Sequence, residues 1–232
     1  MDIKLYEGLM LLALNEEKGT MSGAYIEYSV AAAVLAELLL LQRINVDRDD
    51  KDKVDVIDDS PTGDNVLDEA LAKMCKAKRR RKLKDWVSSI GHISKLKHKV
   101  AEQLVEDGII ELEEKKVLWL FTQKVYPEVN PVPEQHLRHE MRRLVLDKPL
   151  EINPRIALMV SFAQSARLLN QVFSKDELKA HKKRIENIAK GQELGAIAKE
   201  VVAAVEVAVM IAAIMPAITA ATTASSASTP SC

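Results

Sequence analysis

The stretch that most constrains this chain is VAAAVLAELLLL, residues 30–41, in which Glu37 is the only charge. It lies inside a predicted helix over 24–43. Twelve residues are too few to span a bilayer, so the helix belongs in a protein core. A core built around it must be packed mainly by Leu, Ala, Val and Ile, because hydrophobic residues make up 47% of the chain and aromatics only 4%. The length, 232 residues, suits one such domain over 1–222, followed by a low-complexity tail at 223–232 that is expected to be disordered.

Helices are predicted on either side of this element. Residues 3–14 (IKLYEGLMLLAL) read as an amphipathic helix ended by NEEKG, with Gly19 in the turn. Ile44–Val46 and Val54–Ile57 read as short strands around a charged turn. In DDSPTGDNVLDEAL, the apolar positions Val66, Leu67, Ala70, Leu71 and Met74 follow a helical period, with Asp64 as N-cap. Three carboxylates (Asp64, Asp68 and Glu69) cluster at that helix start. With no lysine or arginine in the loop, the segment starts a helix and does not cradle a phosphate. A helix over Ile93–Glu106 stops at Gly108. Ile109–Leu112 and Val117–Phe121 flank Glu113–Lys116 as a β-hairpin with its turn at EEKK. Helices then fill 134–147, 154–172 and 175–190, with Ser174 as a cap. Residues 201–221 carry one charge, Glu206. Their alanine content favours a core helix over a membrane span.

Catalytic signals are weak. His136, His139 and Glu140 share a helical face without a third ligand, and no nucleophile elbow or Gly-rich nucleotide loop is present. No metal or cofactor is implied. Cys75 and Cys232 cannot build a disulfide framework. The C-terminus carries no prenylation signal, and the N-terminus reads as no secretory leader.

Charge is the sharper feature. Lysine and arginine number 33 against 34 acids, which excludes a nucleic-acid signature for the whole chain. Residues 76–99 nevertheless hold ten basic residues and one acid, and residues 47–59 hold seven acids and three bases. The run containing Lys78, Arg79, Arg80, Arg81 and Lys82 either docks on anionic lipid or is a solvated loop that keeps the domain soluble.

Taken in order, SPTGDNVLDEAL, DWV, LVEDGII, a hairpin ending in LWLF, and VYPEVNPVPEQHLRHEMRRLVL resemble the Golgi phosphoprotein 3 family over about residues 3–205. The resemblance implies a mostly α, single-domain fold with a projecting β-hairpin and short strands, and no catalysis. It implies an adaptor on the cytosolic face of Golgi membranes that binds phosphatidylinositol 4-phosphate, engages client-protein tails and self-associates through the hairpin. The implied lipid-binding positions are Ser22, Ala31, Ser94 and Lys97, of which only Lys97 is a cation here, with Lys95 and Lys99 beside it. The implied membrane and oligomer hairpin is Leu118, Trp119, Leu120 and Phe121. The family's eukaryotic members carry a basic extension that contacts the coat. Here the resembling stretch begins almost at Met1, so a prokaryotic-type member without coat binding is expected. The alternative function is a soluble helical protein-interaction domain that has lost specific lipid binding.

Overall fold

The structure is a computed structural model that describes residues 3–15, 19–21, 26–47, 49–117 and 121–192. It is mostly helical. Helix α1 (Leu5–Ala13) is followed by α2 (Ile26–Leu40), strands β1 (Ile44–Asp47) and β2 (Lys53–Val56), and α3 (Asn65–Cys75). A short strand β3 (Arg81–Lys82), α4 (Leu83–Gly91), α5 (Leu96–Glu106) and strands β4 (Glu113–Val117) and β5 (Phe121–Val125) follow. Helices α6 (Val132–Arg142), α7 (Pro154–Ser165), α8 (Lys175–Ala180) and α9 (Lys182–Ala189) complete the described fold.

Helix α2 is the axis of the core. Its residues from Val30 to Leu39 are buried on every side, Glu37 included. A carboxylate there is tolerable only if fully partnered. Glu37 accepts from the Leu5 amide at the start of α1 (2.9 Å) and from Arg155 on α7 (2.7 and 2.8 Å). The one charge of the 30–41 apolar run therefore ties three helices together.

Asp64 is a further buried carboxylate. It caps α3 as expected, accepting from the Val66 and Leu67 amides at 2.9 Å each. Its other oxygen accepts from the Tyr6 hydroxyl and from Gln103 on α5 (2.5 Å), and Lys4 lies 3.0 Å away. The PTGD segment thus joins α1, α3 and α5. Asp68 does not point at a ligand either: it accepts from the Thr62 amide and hydroxyl at 2.7 and 2.6 Å, closing the loop on itself. Burial opposes ionisation of Asp64, but the bonds from Tyr6, the Leu67 amide, Gln103 and Lys4 outweigh it, holding its carboxyl below the usual range. Burial, then Asp64, pushes the Tyr6 phenol far up.

Several boundaries differ from the sequence expectation. Helix α5 begins at Leu96, because Lys95 adopts a left-handed backbone (φ 58°) that breaks a helix started at Ile93. The helix expected over 154–172 ends at Ser165. Arg167 turns left-handed (φ 59°) there, and a short 3-10 turn, Leu169–Gln171, follows. The helix expected over 175–190 breaks at His181, and the 134–147 helix closes in a π-turn, Arg143–Asp147.

The hairpin is displaced along the chain. Ile109 and Ile110 are 1% exposed, drawn into the core by the turn at Gly108 (φ 68°), so they are unavailable as a free strand. The strands are EEKKV and FTQKV, paired from Glu113↔Val125 to Val117↔Phe121. The EEKK segment is strand rather than turn. Glu113–Lys116 and Thr122–Lys124 are all exposed, as expected of a hairpin standing away from the core. Ser22, Leu118, Trp119 and Leu120, the side chain of Phe121, and the segments 201–221 and 223–232 lie outside the described residues. Among the described residues, no helix is long and apolar enough to cross a membrane.

The Asp64 junction sets a prediction. Asp64→Ala removes an N-cap and orphans Tyr6, Gln103 and Lys4, so urea unfolding should show a loss of about 3 kcal/mol. Asp64→Asn, which can still cap, should lose about half as much. Because the folded-state value is depressed, the Asp64 contribution is present above the unfolded value of about 4 and lost as pH falls through the folded one. The stability gap between wild type and Asp64→Asn should therefore close on acidification below about pH 4. A gap independent of pH would contradict this.

Candidate functional site

The basic residues fall at two separate places. Glu27, in the first turn of α2, pairs with Lys97 at 3.0 Å. The C-terminal end of α4 meets the same end of α2 closely: a side-chain carbon at Gly91 would sit 2.9 Å from the Tyr28 ring. The Tyr28 ring also contacts His92 edge-on, with centroids 5.8 Å apart. Exposed Ser94 and Lys95 form the turn between α4 and α5, directly beside this contact.

The base of the hairpin reaches the same end. The His98 Nδ1 lies 2.9 Å from the Tyr126 hydroxyl, and Lys124 approaches Glu102 at 3.5 Å. The Tyr126 amide donates to the Gly19 carbonyl at 2.7 Å. Gly19 takes φ 60°, and any side-chain carbon there would lie 2.6 Å from the Tyr126 backbone, so glycine is required at this contact. Ser94, Lys95, Lys97, His98 and the hairpin base therefore share one end of α2.

Lys99 does not join them. It turns toward α3 and pairs with Glu69 at 2.5 Å. Ala31 is fully buried in α2 and faces no solvent.

The 76–84 run lies at the other end of α4, whose nine residues span about 13 Å, toward the last turn of α2. There β1 leaves α2, and the three-stranded order β1–β2–β3 places Arg81 opposite Val54 and Lys82 opposite Lys53. Arg80 is not a free cation, contrary to the expectation for the basic patch. It bonds Asp47 (2.9 Å), Asp50 (3.0 Å) and Asp55, all from the acidic 47–59 segment. Asp47 is held below the usual carboxylate range by Arg80. Opposite charges read separately along the chain thus meet across the sheet. Arg81 lies over the Trp86 ring at 5.1 Å. Among the described residues, Lys78, Arg79 and Lys82 have no acidic partner.

Glu27 and the Asp47, Asp50 and Asp55 trio were not singled out from sequence. The only available signal was the adjacency of oppositely charged segments. His136 and His139 are exposed, and among the described residues no group of three or more His, Cys, Asp or Glu could hold a metal. A groove of about 440 Å³ between α1, α6 and α7 is lined by Leu5, Leu137 and Met159, with His136, Glu140 and Arg155 on its border. Its arginine is committed to Glu37.

The arrangement is a helical core with an exposed two-stranded hairpin and an exposed basic turn at one end of α2. The chain belongs to the Golgi phosphoprotein 3 (GPP34) family, whose sequence model matches residues 5–206. It is also similar to vacuolar protein sorting-associated protein 74 of Eremothecium gossypii, 23% identical over 171 residues, or 65% of this chain. The chain spans about half the length of that curated relative, of which the match covers 51%.

A test of the site's electrostatics follows from His98. Burial, then the nearby Lys97 and Lys124, holds its imidazole below the ordinary value. An NMR titration should find its midpoint below about 6.5, rising when Lys97 becomes Gln. A midpoint at or above that value would contradict the packing of His98 against Tyr126.

Proposed function

We propose that this chain is a non-enzymatic peripheral adaptor that docks on anionic phospholipid with the α2 end carrying Ser94, Lys95, Lys97 and the hairpin. Phosphatidylinositol 4-phosphate is the lipid the family resemblance implies. The observation that carries the reading is that junction: the basic α4–α5 turn and the hairpin base are held together through His98 and Tyr126. A single hairpin tip and one basic turn can then reach a membrane surface together. Trp119 suits that surface because its ring is apolar with one polar edge.

The Lys97–Glu27 pair does not prevent this. Both side chains are about one-third exposed (34% and 37%), and pairs of that kind are worth less than about 1 kcal/mol. A phosphate monoester carries more charge than a carboxylate and can replace Glu27 on the ammonium. Family membership supports placing the adaptor on the Golgi cytosolic face, with client-protein tails as cargo and self-association through the hairpin. The relative named for vacuolar protein sorting fits a trafficking role.

A second reading is a soluble helical interaction domain that has lost specific lipid binding. It is favoured by the engagement of Lys97 and Lys99 by carboxylates and by the burial of Ala31.

Vesicle co-sedimentation at about 0.15 M salt separates the two. Wild type should pellet with phosphatidylinositol 4-phosphate vesicles more than with phosphatidylserine vesicles, and not with neutral ones. Lys97→Glu should weaken that binding by roughly an order of magnitude or more, and Trp119→Ala should weaken binding to both anionic vesicles. No pelleting with any vesicle would leave the soluble interaction domain.

A further inference from the structure

The far end of α2 carries a second feature that the lipid-docking reading does not use. An open depression of about 550 Å³ lies between β2, the 76–82 segment and the start of α4. Seven cations line it, including Lys53, Lys76, Lys78, Arg79 and Lys82, against one carboxylate, Asp85. Three more carboxylates, Asp47, Asp50 and Asp55, stand around Arg80. Seven cations against these four acids leave an excess of three positive charges.

A solvated charge run would be free to spread. This one is fixed at several points. The Arg81 and Lys82 backbones pair with β2, and the Leu83 amide donates to the Asp52 carbonyl at 3.0 Å. Arg81 is laid over Trp86, and Arg80 is drawn back by its three aspartates. Among the described residues, Lys76, Lys78, Arg79 and Lys82 have no acidic partner. Like charges are therefore held at close range around a concave surface, an arrangement that is repulsive unless an anion fills it. A concavity suits a compact ligand with several phosphates better than a flat surface.

We propose that this groove is a binding site for clustered phosphate groups, as found on a polyphosphorylated inositol, whether free or as a lipid headgroup. It is independent of Lys97, which lies at the other end of α2.

The test is calorimetric titration of the full chain with inositol hexakisphosphate at about 0.15 M salt. Saturable binding is expected, and it should weaken steeply as salt rises to about 0.5 M. Lys76→Gln/Lys78→Gln/Arg79→Gln should weaken binding roughly a hundredfold without lowering the melting temperature of the free chain, since among the described residues the three side chains have no acidic partner to lose and their mutual repulsion is relieved. Lys97→Gln should leave it within about twofold. Vesicles bearing phosphatidylinositol 4,5-bisphosphate then identify the source. Competition with inositol hexakisphosphate assigns a lipid headgroup, and its absence assigns a soluble polyphosphate; both support the site. An absence of saturable binding, equal binding by the triple variant, or salt-insensitive binding would overturn it. So would an RNA oligomer that binds through these residues without being displaced by inositol hexakisphosphate.

Discussion

The fold depends on a buried carboxylate. Asp64 is 5% exposed, and everything around it is arranged to make its charge tolerable. It caps α3, receives the hydroxyl of Tyr6 from α1 and the amide of Gln103 from α5, and lies beside Lys4. Remove any one helix and the others are left with a buried unpaired group, which costs more than the bond itself contributes. Glu37 repeats the principle deeper in the core, where it binds α1 and α7 to the apolar helix α2. Burying a charge at the start of a helix is economical because the amides there lack partners and the helix dipole favours an anion.

Much of this was legible in residue order. The apolar run with one acid foretold a core helix, and the period after Asp64 foretold a capped one. The β1 and β2 strands appear close to where Ile44–Val46 and Val54–Ile57 were read. The failures share a cause: local pattern does not report what tertiary contacts claim first. Ile109 and Ile110 look like strand residues but serve the core, so the hairpin forms from the charged residues after them. Lys95 and Arg167 break helices by adopting left-handed backbone, which no residue preference at those positions announces. The candidate site was legible only in outline. Ser94, Lys95 and Lys97 stand together, yet Lys99 turns away, and Arg80 is consumed by aspartates some 25–33 positions earlier in the chain.

The separation of the two basic regions follows from the axis helix. Because α2 is long, rigid and central, whatever packs at its first turn is held far from whatever follows its last. The 76–82 groove is thereby held apart from the Lys97 turn and the hairpin base, the two regions proposed to bind anions. Neighbouring carboxylates moderate both regions: Glu27 at one end, and Asp47, Asp50 and Asp55 at the other. Such partners keep clustered cations from repelling one another without burying them, leaving weak pairs that a more highly charged phosphate can displace.

Hydrogen–deuterium exchange on the chain bound to vesicles of phosphatidylserine with phosphatidylinositol 4-phosphate tests the account most directly. Docking by the first-turn end of α2 predicts protection across residues 92–99 and across the hairpin strands, with α6 and α7 unchanged. Bound protein that shows no protection in either of those segments would contradict it.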